Sequence, residues 1–168
     1  MINSIGPKIR KVQSPKLFCL ASLYLFLCLF LCISMGMKYS ETETHALKVN
    51  ITGYNSNKGQ IALALYNDKN QYTDNPWKHF ELSKSSAIKG VVSFSISDLP
   101  PGKYAISFLD DENSNNEMDY AFWGYPLEGF GFSNDSKPGF LSAPKYEKCV
   151  FKVDKDKELT LNAQYWNK

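Results

Sequence analysis

The sequence predicts an all-β protein: an antiparallel β-sandwich of about seven short strands, with an N-terminal hydrophobic helix before it and one long ordered loop within it. Three observations support this fold class. Short runs alternate apolar and polar residues, the period of a half-buried strand. Turn-forming residues separate these runs at short intervals. No segment after residue 46 sustains the 3.6-residue period of an amphipathic helix.

The first 36 residues are predicted to form a signal peptide or an N-terminal membrane anchor. Four basic residues precede an apolar run at 17–37, namely Lys8, Arg10, Lys11 and Lys16. A basic flank followed by an apolar core is an export signal, and this run is also long enough for an uncleaved transmembrane helix. Either way, the domain at 47–168 is expected outside the cytoplasm: periplasmic, secreted or anchored facing out. Only an uncleaved segment would contact the membrane.

The net charge indicates which kinds of partner to expect, and the cysteine content shows whether a disulfide can stabilise the domain. Removing the four N-terminal basic residues leaves 15 Lys and Arg against 17 Asp and Glu, a net charge of −2, so no basic excess indicates a nucleic-acid partner and none is expected. Three of the four cysteines lie in the apolar run, which leaves Cys149 alone in the exported domain. A lone cysteine forms no internal disulfide, so we interpret it as a small buried hydrophobe on a strand.

The strands follow from the alternating runs in chain order. A β-hairpin is predicted first, because turn residues 55–59 separate two such runs. The Pro-Pro-Gly sequence at 100–102 predicts a tight turn, and residues 75–80 leave room for one short helical turn. The predicted strands are Leu47–Tyr54, Gln60–Tyr66, Gly90–Ser97, Lys103–Leu109, Glu147–Val153 and Glu158–Tyr165.

The connection from Asp110 to Pro144 is about thirty-five residues long, far longer than a sandwich needs. Its many aromatic residues predict an ordered loop folded over one end of the sandwich. Two interpretations stay open for the glycine and aromatic segment at 124–134. The rings either plug the open end and anchor the loop, or form a platform for a sugar or peptide.

The first part of this loop has the spacing of a calcium site. The chain has no lysine or arginine from Tyr104 to Ser136, yet it has six carboxylates between Phe108 and Phe132. Oxygen-bearing residues fall at every second position, at Asp111, Asn113, Asn115, Glu117 and Asp119. Alternate residues of a tightly turning loop point the same way, and in a calcium loop the seventh position binds through its backbone carbonyl. Oxygen ligands without nearby His or Cys disfavour zinc.

The loop departs from an EF-hand at two positions. Asn116 stands where the sharp turn normally has Gly, and Asn is the non-glycine residue best able to adopt a left-handed conformation. Phe122 stands where the bidentate carboxylate belongs, so Asp110 or Glu128 would supply the missing oxygen. The alternative is a hydrated turn in which Asn and Asp side chains bond their own backbone.

Several ordered motifs resemble the bacterial family called domain of unknown function 2141. They are Leu99–Ala105, Asp111–Asp119 and Gly124–Asn134, with a similar N-terminal block at Gly53–Tyr66, and the resemblance covers 47–165. It implies a small exported bacterial protein with a transthyretin-like, Greek-key sandwich, and it implies no activity. Asn116 and Glu117 stand where members of that family usually have Gly and Lys or a similar residue.

Three functions are consistent with these residues. The first is a non-catalytic extracytoplasmic module that binds calcium through 110–119 and contacts an envelope polymer or another protein. The second is a purely structural envelope protein without metal. The third is a hydrolase using paired carboxylates such as Asp111 and Glu128. Neither histidine, His45 or His79, stands in a catalytic motif, and Ser133 lacks a nucleophile elbow.

Overall fold

A computed structural model describes residues 42–139 and 142–166 of the chain. The predicted signal peptide or anchor at 1–36 and its hydrophobic helix lie outside these residues. The described residues belong to one compact unit, Thr42–Lys168. Among them, no helix combines the length and the apolar character that a membrane crossing requires.

Eight strands form this part of the chain. Short helical turns occur at Lys69–Gln71, Lys84–Ser86 and Ser133–Asp135, all of 3-10 type, and at Tyr146–Cys149, which is α-helical (α1). The strands are β1 (His45–Thr52), β2 (Gln60–Tyr66), β3 (Lys78–Ser83), β4 (Val92–Leu99), β5 (Gly102–Asp111), β6 (Gly129–Phe132), β7 (Phe151–Val153) and β8 (Lys157–Asn162).

The strands form two sheets, which confirms the all-β prediction. The first sheet has the order β4-β1-β8, and the second has the order β3-β2-β5-β6. Along its other edge, β5 pairs with β6 through Ser107–Asp110 and with β7 through Gly102–Tyr104. The prediction of purely antiparallel pairing is wrong at one place, because β1 and β8 run parallel. A strand that arrives after a long connection is free of the antiparallel constraint that a hairpin imposes.

The predicted hairpin between the first two strands is wrong. β1 pairs with β4 and β8, whereas β2 pairs with β3 and β5, so residues 53–59 cross from one sheet to the other. Gly59 has a φ of +69°, and a Cβ atom there would lie 2.0 Å from the carbonyl oxygen of Asp111. Residues 53–59 therefore form a connection between the two sheets, and this connection passes close to the end of β5. Alternation identifies each strand, but it does not identify the partner strand.

Both sheets contribute side chains to one hydrophobic core. The first sheet supplies residues such as Leu47, Ile51 and Ile96, and the second supplies residues such as Leu63 and Ile106. The rings of Phe80 on β3 and Phe94 on β4 join the two sets, with centroids 4.8 Å apart. The alternating apolar positions of the sequence therefore point into a shared interior, as a half-buried strand requires.

Three elements differ from their predictions. Residues 75–80 do not form a separate helical turn, since β3 begins at Lys78. The long loop contains β6, in which Gly131 lies so close to Phe108 that a Cβ atom would be 2.2 Å from its ring. Cys149 lies in α1 rather than on a strand, although its burial as a small hydrophobe is confirmed. For β6 the deciding contact comes from Phe108 on another strand, and a local sequence pattern does not contain that contact.

Candidate functional site

The acidic loop begins at Asp111, whose carboxylate is buried at the end of β5. It accepts hydrogen bonds from the backbone amides of Asn115 (3.1 Å) and Asn116 (2.9 Å) and from Nε2 of Gln60 (3.0 Å). Burial raises the pKa of this carboxyl, but these hydrogen bonds lower it by more, so that it lies below its ordinary value. The loop thus curls around an ionised Asp111.

The loop brings three of the predicted ligands together. Nδ2 of Asn113 donates to Asp119 over 2.7 Å, and Nδ2 of Asn115 donates to the other Asp119 oxygen over 3.3 Å. The side-chain oxygens of both asparagines accept backbone amides two residues on, from Asn115 (3.0 Å) and Glu117 (2.8 Å). These are the Asx turns of the alternative interpretation. Asn116 has a φ of +63°, which confirms the left-handed conformation expected there.

Glu128 lies against both ends of the loop. Its two carboxylate oxygens accept the backbone amides of Glu112 (3.0 Å) and Asp119 (3.2 Å), and the residue is buried. Burial raises the pKa of this carboxyl; the two amide hydrogen bonds lower it in part, and the negative charges of Asp119 and Asp111 raise it again. Of the two residues predicted to supply a missing oxygen, Glu128 is the one that contacts the loop.

The carboxylate of Asp110 contacts Lys84 and Tyr165 rather than the acidic loop. Its Oδ1 lies 2.5 Å from Nζ of Lys84, and its Oδ2 accepts the hydroxyl of Tyr165. Lys84 and Asp110 are both fully buried. The sequence alone did not predict the roles of Lys84 and Tyr165. The available signal was the Asp110–Asp111 doublet, since consecutive strand residues point to opposite faces and one carboxylate therefore faces inward.

No cluster of three or more His, Cys, Asp or Glu side chains with metal-site geometry occurs within 42–139 and 142–166. The arrangement around Asp111 depends instead on carboxylates, asparagine amides and backbone groups together. Glu117, one of the predicted ligands, is exposed, and its backbone amide donates to the side-chain oxygen of Asn115. Chemically, the loop offers hard oxygen donors of the kind calcium prefers.

A groove of about 680 Å³ lies on the outer face of the second sheet. Its floor consists of small side chains from adjacent strands, since Ala64 on β2 pairs with Ser107 on β5. Aromatic side chains stand around this floor, and the acidic loop supplies part of the wall. The lining includes Ala62, Tyr66, His79, Leu109, Asn116, Met118, Tyr120, Pro126, Phe130, Phe132 and Trp166.

The aromatic residues of the loop divide into two groups. Phe130 is buried and Tyr125 stacks on Trp166 with centroids 5.4 Å apart, as an anchoring role requires. Phe122 and Trp123 are 93% and 77% exposed, and their rings contact each other edge to face. Phe122 and Trp123 precede the segment at 124–134 for which the plug interpretation was made, so their exposure leaves both interpretations of that segment open. Adjacent exposed aromatics of this size are typical of contact surfaces.

The other nucleophile and base candidates occupy structural or surface positions. The buried Ser133 hydroxyl accepts the amide of Ile106 (2.9 Å) and donates to the carbonyl of Cys149 (2.6 Å). Cys149 is buried and accepts the hydroxyl of Tyr72 at 3.1 Å. His79 is exposed at the groove, and His45 begins β1.

Comparison with known proteins identifies a family. No curated protein and no solved structure matches this sequence. Residues 49–161 match the family described as "Uncharacterized protein conserved in bacteria (DUF2141)". The match includes strands of both sheets, the acidic loop and most of the residues that line the groove. The chain therefore belongs to this bacterial family, as its signature motifs predicted.

Proposed function

We propose that the protein is a non-catalytic extracytoplasmic module that binds an apolar partner in the groove of its second sheet and calcium in the loop at the rim of that groove. One observation carries the proposal. The loop with calcium-site spacing, 111–119, contributes Met118 to a wall of the groove and continues directly into Tyr120 of the same wall. A cation that orders the loop would then also shape the groove.

The calcium part of the proposal depends on the charge and geometry of the loop. Asn113 and Asn115 converge on Asp119, and the amides of 115 and 116 hold Asp111 beside them. Each amide oxygen in these Asx turns has a second lone pair that can bind a cation. Glu128 would complete the set, and a dication would relieve the repulsion among Asp111, Asp119 and Glu128.

The binding part depends on the composition of the groove and its surroundings. Small side chains such as Ala62, Ala64 and Ser107 leave the sheet face concave, and apolar and aromatic side chains surround it. Ligand sites are concave and mostly apolar with a few polar groups. Phe122 and Trp123 extend the apolar surface beyond the groove. We favour an apolar segment of another envelope protein as the partner, with an envelope polymer as the other candidate.

For the fold, we infer that the two sheets face each other as a transthyretin-like, Greek-key sandwich. The shared core and the contact between Phe80 and Phe94 support this arrangement. In a sandwich the outer face of each sheet is open to a partner. The groove occupies that outer face of the second sheet.

Thermal melting tests the calcium site. The protein, purified from cells that export it and stripped with chelator, should melt at a higher temperature in millimolar calcium, because a ligand that binds only the folded state stabilises it by about 2.7 kcal/mol at 100 times its Kd. Asp119→Ala should remove the shift, and Asp154→Ala, a change at an exposed turn, should keep it. An unchanged melting curve with no heat in calorimetry refutes the site.

A substitution on the groove floor tests the binding surface. Ala64→Phe fills the groove, since Ala64 faces away from Leu63 and Leu65 and packs instead against the smaller cluster of Tyr66, Ala105 and Cys149. The variant should lose retention on envelope fractions that retain the wild type, and its melting curve checks that the fold is kept. Equal retention of both proteins contradicts the assignment of the groove. Separating the retaining fraction into protein and polymer then identifies the class of partner.

A purely structural envelope protein is the second candidate, and one observation favours it. The polar groups of the loop satisfy one another through Asx turns and the bonds to Asp119, so the loop is closed without a cation. The two candidates differ in the melting experiment. A structural loop predicts the same melting temperature with chelator and with calcium.

A further inference from the structure

A lysine and an aspartate meet in the interior of the protein, away from the groove. Lys84 lies in the 3-10 turn that follows β3, and Asp110 lies near the end of β5. Their side chains are 0% exposed, and Nζ lies 2.5 Å from Oδ1. β2 runs between them, since Ile61 pairs with Leu82 on one side and with Asp110 on the other. The pair thus spans three strands of one sheet.

Two tyrosines enclose this pair. The hydroxyl of Tyr165 donates to Oδ2 of Asp110, the oxygen that Lys84 does not contact. Burial and the hydrogen bond to Asp110 raise the pKa of Tyr165, so its hydroxyl keeps its proton. The ring of Tyr54 lies 5.9 Å from Nζ of Lys84. Among the residues that the structure describes, the buried hydroxyl of Tyr54 has no hydrogen-bond partner.

We propose that Lys84 and Asp110 join in an intramolecular amide bond between Nζ and Cγ. A proton first passes from the ammonium to the carboxylate inside the pair, which leaves an amine and a carboxylic acid. The amine lone pair then forms the C–N bond at Cγ, while Tyr165 donates its hydrogen bond to the carboxyl oxygen that gains negative charge. The C–O bond of the other oxygen breaks, and that oxygen leaves as water with the proton transferred first and a second proton that the attacking nitrogen gives up. No oxidant or other reactant is needed.

Three features of the site favour condensation over a lasting ion pair. The two reacting groups are held in contact, and fixed neighbours react as if at very high concentration. Keeping two charges out of water costs free energy that a neutral amide does not. The released water leaves a site with little solvent, which disfavours the reverse hydrolysis. Tyr165 acts as the donor that stabilises the developing negative charge.

The bond would tie the end of β3 to β5. The second sheet carries the groove, and β3 stands at one edge of its strand order. The exported part of the chain has one cysteine and so forms no internal disulfide. An amide bond would give it a covalent tie that is insensitive to reductants.

Mass spectrometry of the wild-type protein tests the bond directly. The full chain is purified from the cells that produce it, denatured and measured intact, and the linked protein should weigh one water less than its processed sequence. Trypsin should then release peptide 79–89 joined to peptide 104–145, since a linked Lys84 resists cleavage and Lys137 precedes Pro138. A full mass with separate peptides ending at Lys84 and Lys145 overturns the proposal.

Variants test the chemistry. Lys84→Arg keeps a cation beside Asp110 but cannot form this amide, so its mass deficit should be lost. Tyr165→Phe should slow formation of the bond on the order of a hundredfold, the scale of one positioned proton donor. Tyr104→Phe, which removes a hydroxyl bonded to the Pro100 carbonyl, should leave the rate unchanged. A deficit that persists in Lys84→Arg refutes the assignment to this pair.

Discussion

Asp110 and Asp111 are neighbours in sequence, both are buried, and they are stabilised in opposite ways. Asp110 faces a single cation, Lys84, and the hydroxyl of Tyr165. Asp111 faces neutral donors alone, the amides of Asn115 and Asn116 and the side chain of Gln60. Strand alternation separates the two carboxylates, so that each meets a different set of partners.

The difference between the two residues concerns net charge. As an ion pair, Lys84 cancels the charge of Asp110, and in the proposed amide both charges are gone, so in either form the interior site has no remaining attraction for a cation. Amide donors stabilise the charge of Asp111 but do not cancel it, and the loop around it retains several negative groups. A carboxylate held by dipoles stays available to a metal ion, whereas one held by an ammonium does not.

The largest effect is expected at the interior pair. Lys84→Met leaves Asp110 buried without its partner, and loss of one member of a buried pair costs roughly 3–5 kcal/mol of unfolding free energy. Urea unfolding measures the loss. Adding Asp110→Leu to this variant should restore the part of the stability that the unpaired buried charge costs. The proposed amide is absent from both variants, so it does not affect this comparison.

An exposed pair provides the control for this prediction. Lys48 contacts Glu158 at 2.9 Å, and both side chains are at least half exposed. Lys48→Met should therefore change the unfolding free energy by roughly 0–1 kcal/mol. Equal losses for Lys84→Met and Lys48→Met would show that burial of the interior pair has no energetic consequence.

The second effect is expected at Asp111. Asp111→Asn weakens hydrogen bonds to a charged acceptor, which are worth roughly 1.5–3 kcal/mol each. Because folding lowers the pKa of Asp111, its stabilising contribution is fully present above its unfolded pKa of about 3.9 and is lost as pH falls through the lower folded pKa. The difference in unfolding free energy between wild type and variant should therefore be largest near neutral pH and shrink in acid.

The pKa shift of Glu128, and therefore the pH dependence of its contribution to stability, is opposite to that of Asp111. Folding raises the pKa of this carboxyl, so the wild type loses stability as pH rises from about 4.3 through the raised folded pKa. Glu128→Gln should lack that loss over the same pH interval. Parallel pH profiles for the Asp111 and Glu128 variants would contradict the assigned shifts.

The smallest effect on stability is expected at the exposed aromatics. Phe122→Ser and Trp123→Ser should change the unfolding free energy by no more than about 0.5 kcal/mol, because both side chains are largely exposed. Phe108→Ala, at a buried core ring, should cost roughly 3–5 kcal/mol. Envelope retention should fall in the two serine variants despite their unchanged melting, and unchanged retention would remove these rings from the proposed contact surface.

Local patterns predicted much of the second sheet and little of its connections. Alternation located β2 and β5 within a few residues, and the turn preference of Asn116 is confirmed by its φ of +63°. The hairpin prediction failed, because the pattern of residues 47–66 is the same whether two strands pair or lie in different sheets. β6 was missed because glycine is rare in strands, and here the approach of Phe108 requires it.

The sequence by itself determined the all-β class, the family, and the lysine-free loop with oxygen ligands at alternate positions. These depend on local spacing and composition, which a chain carries without folding. Only the tertiary structure decided that Asp110 meets Lys84 while Asp111 does not, and that the loop forms a wall of the groove. Lys84 and Asp110 lie 26 positions apart, and an intervening strand brings them together. Contacts of that kind depend on strand order, which alternation does not encode.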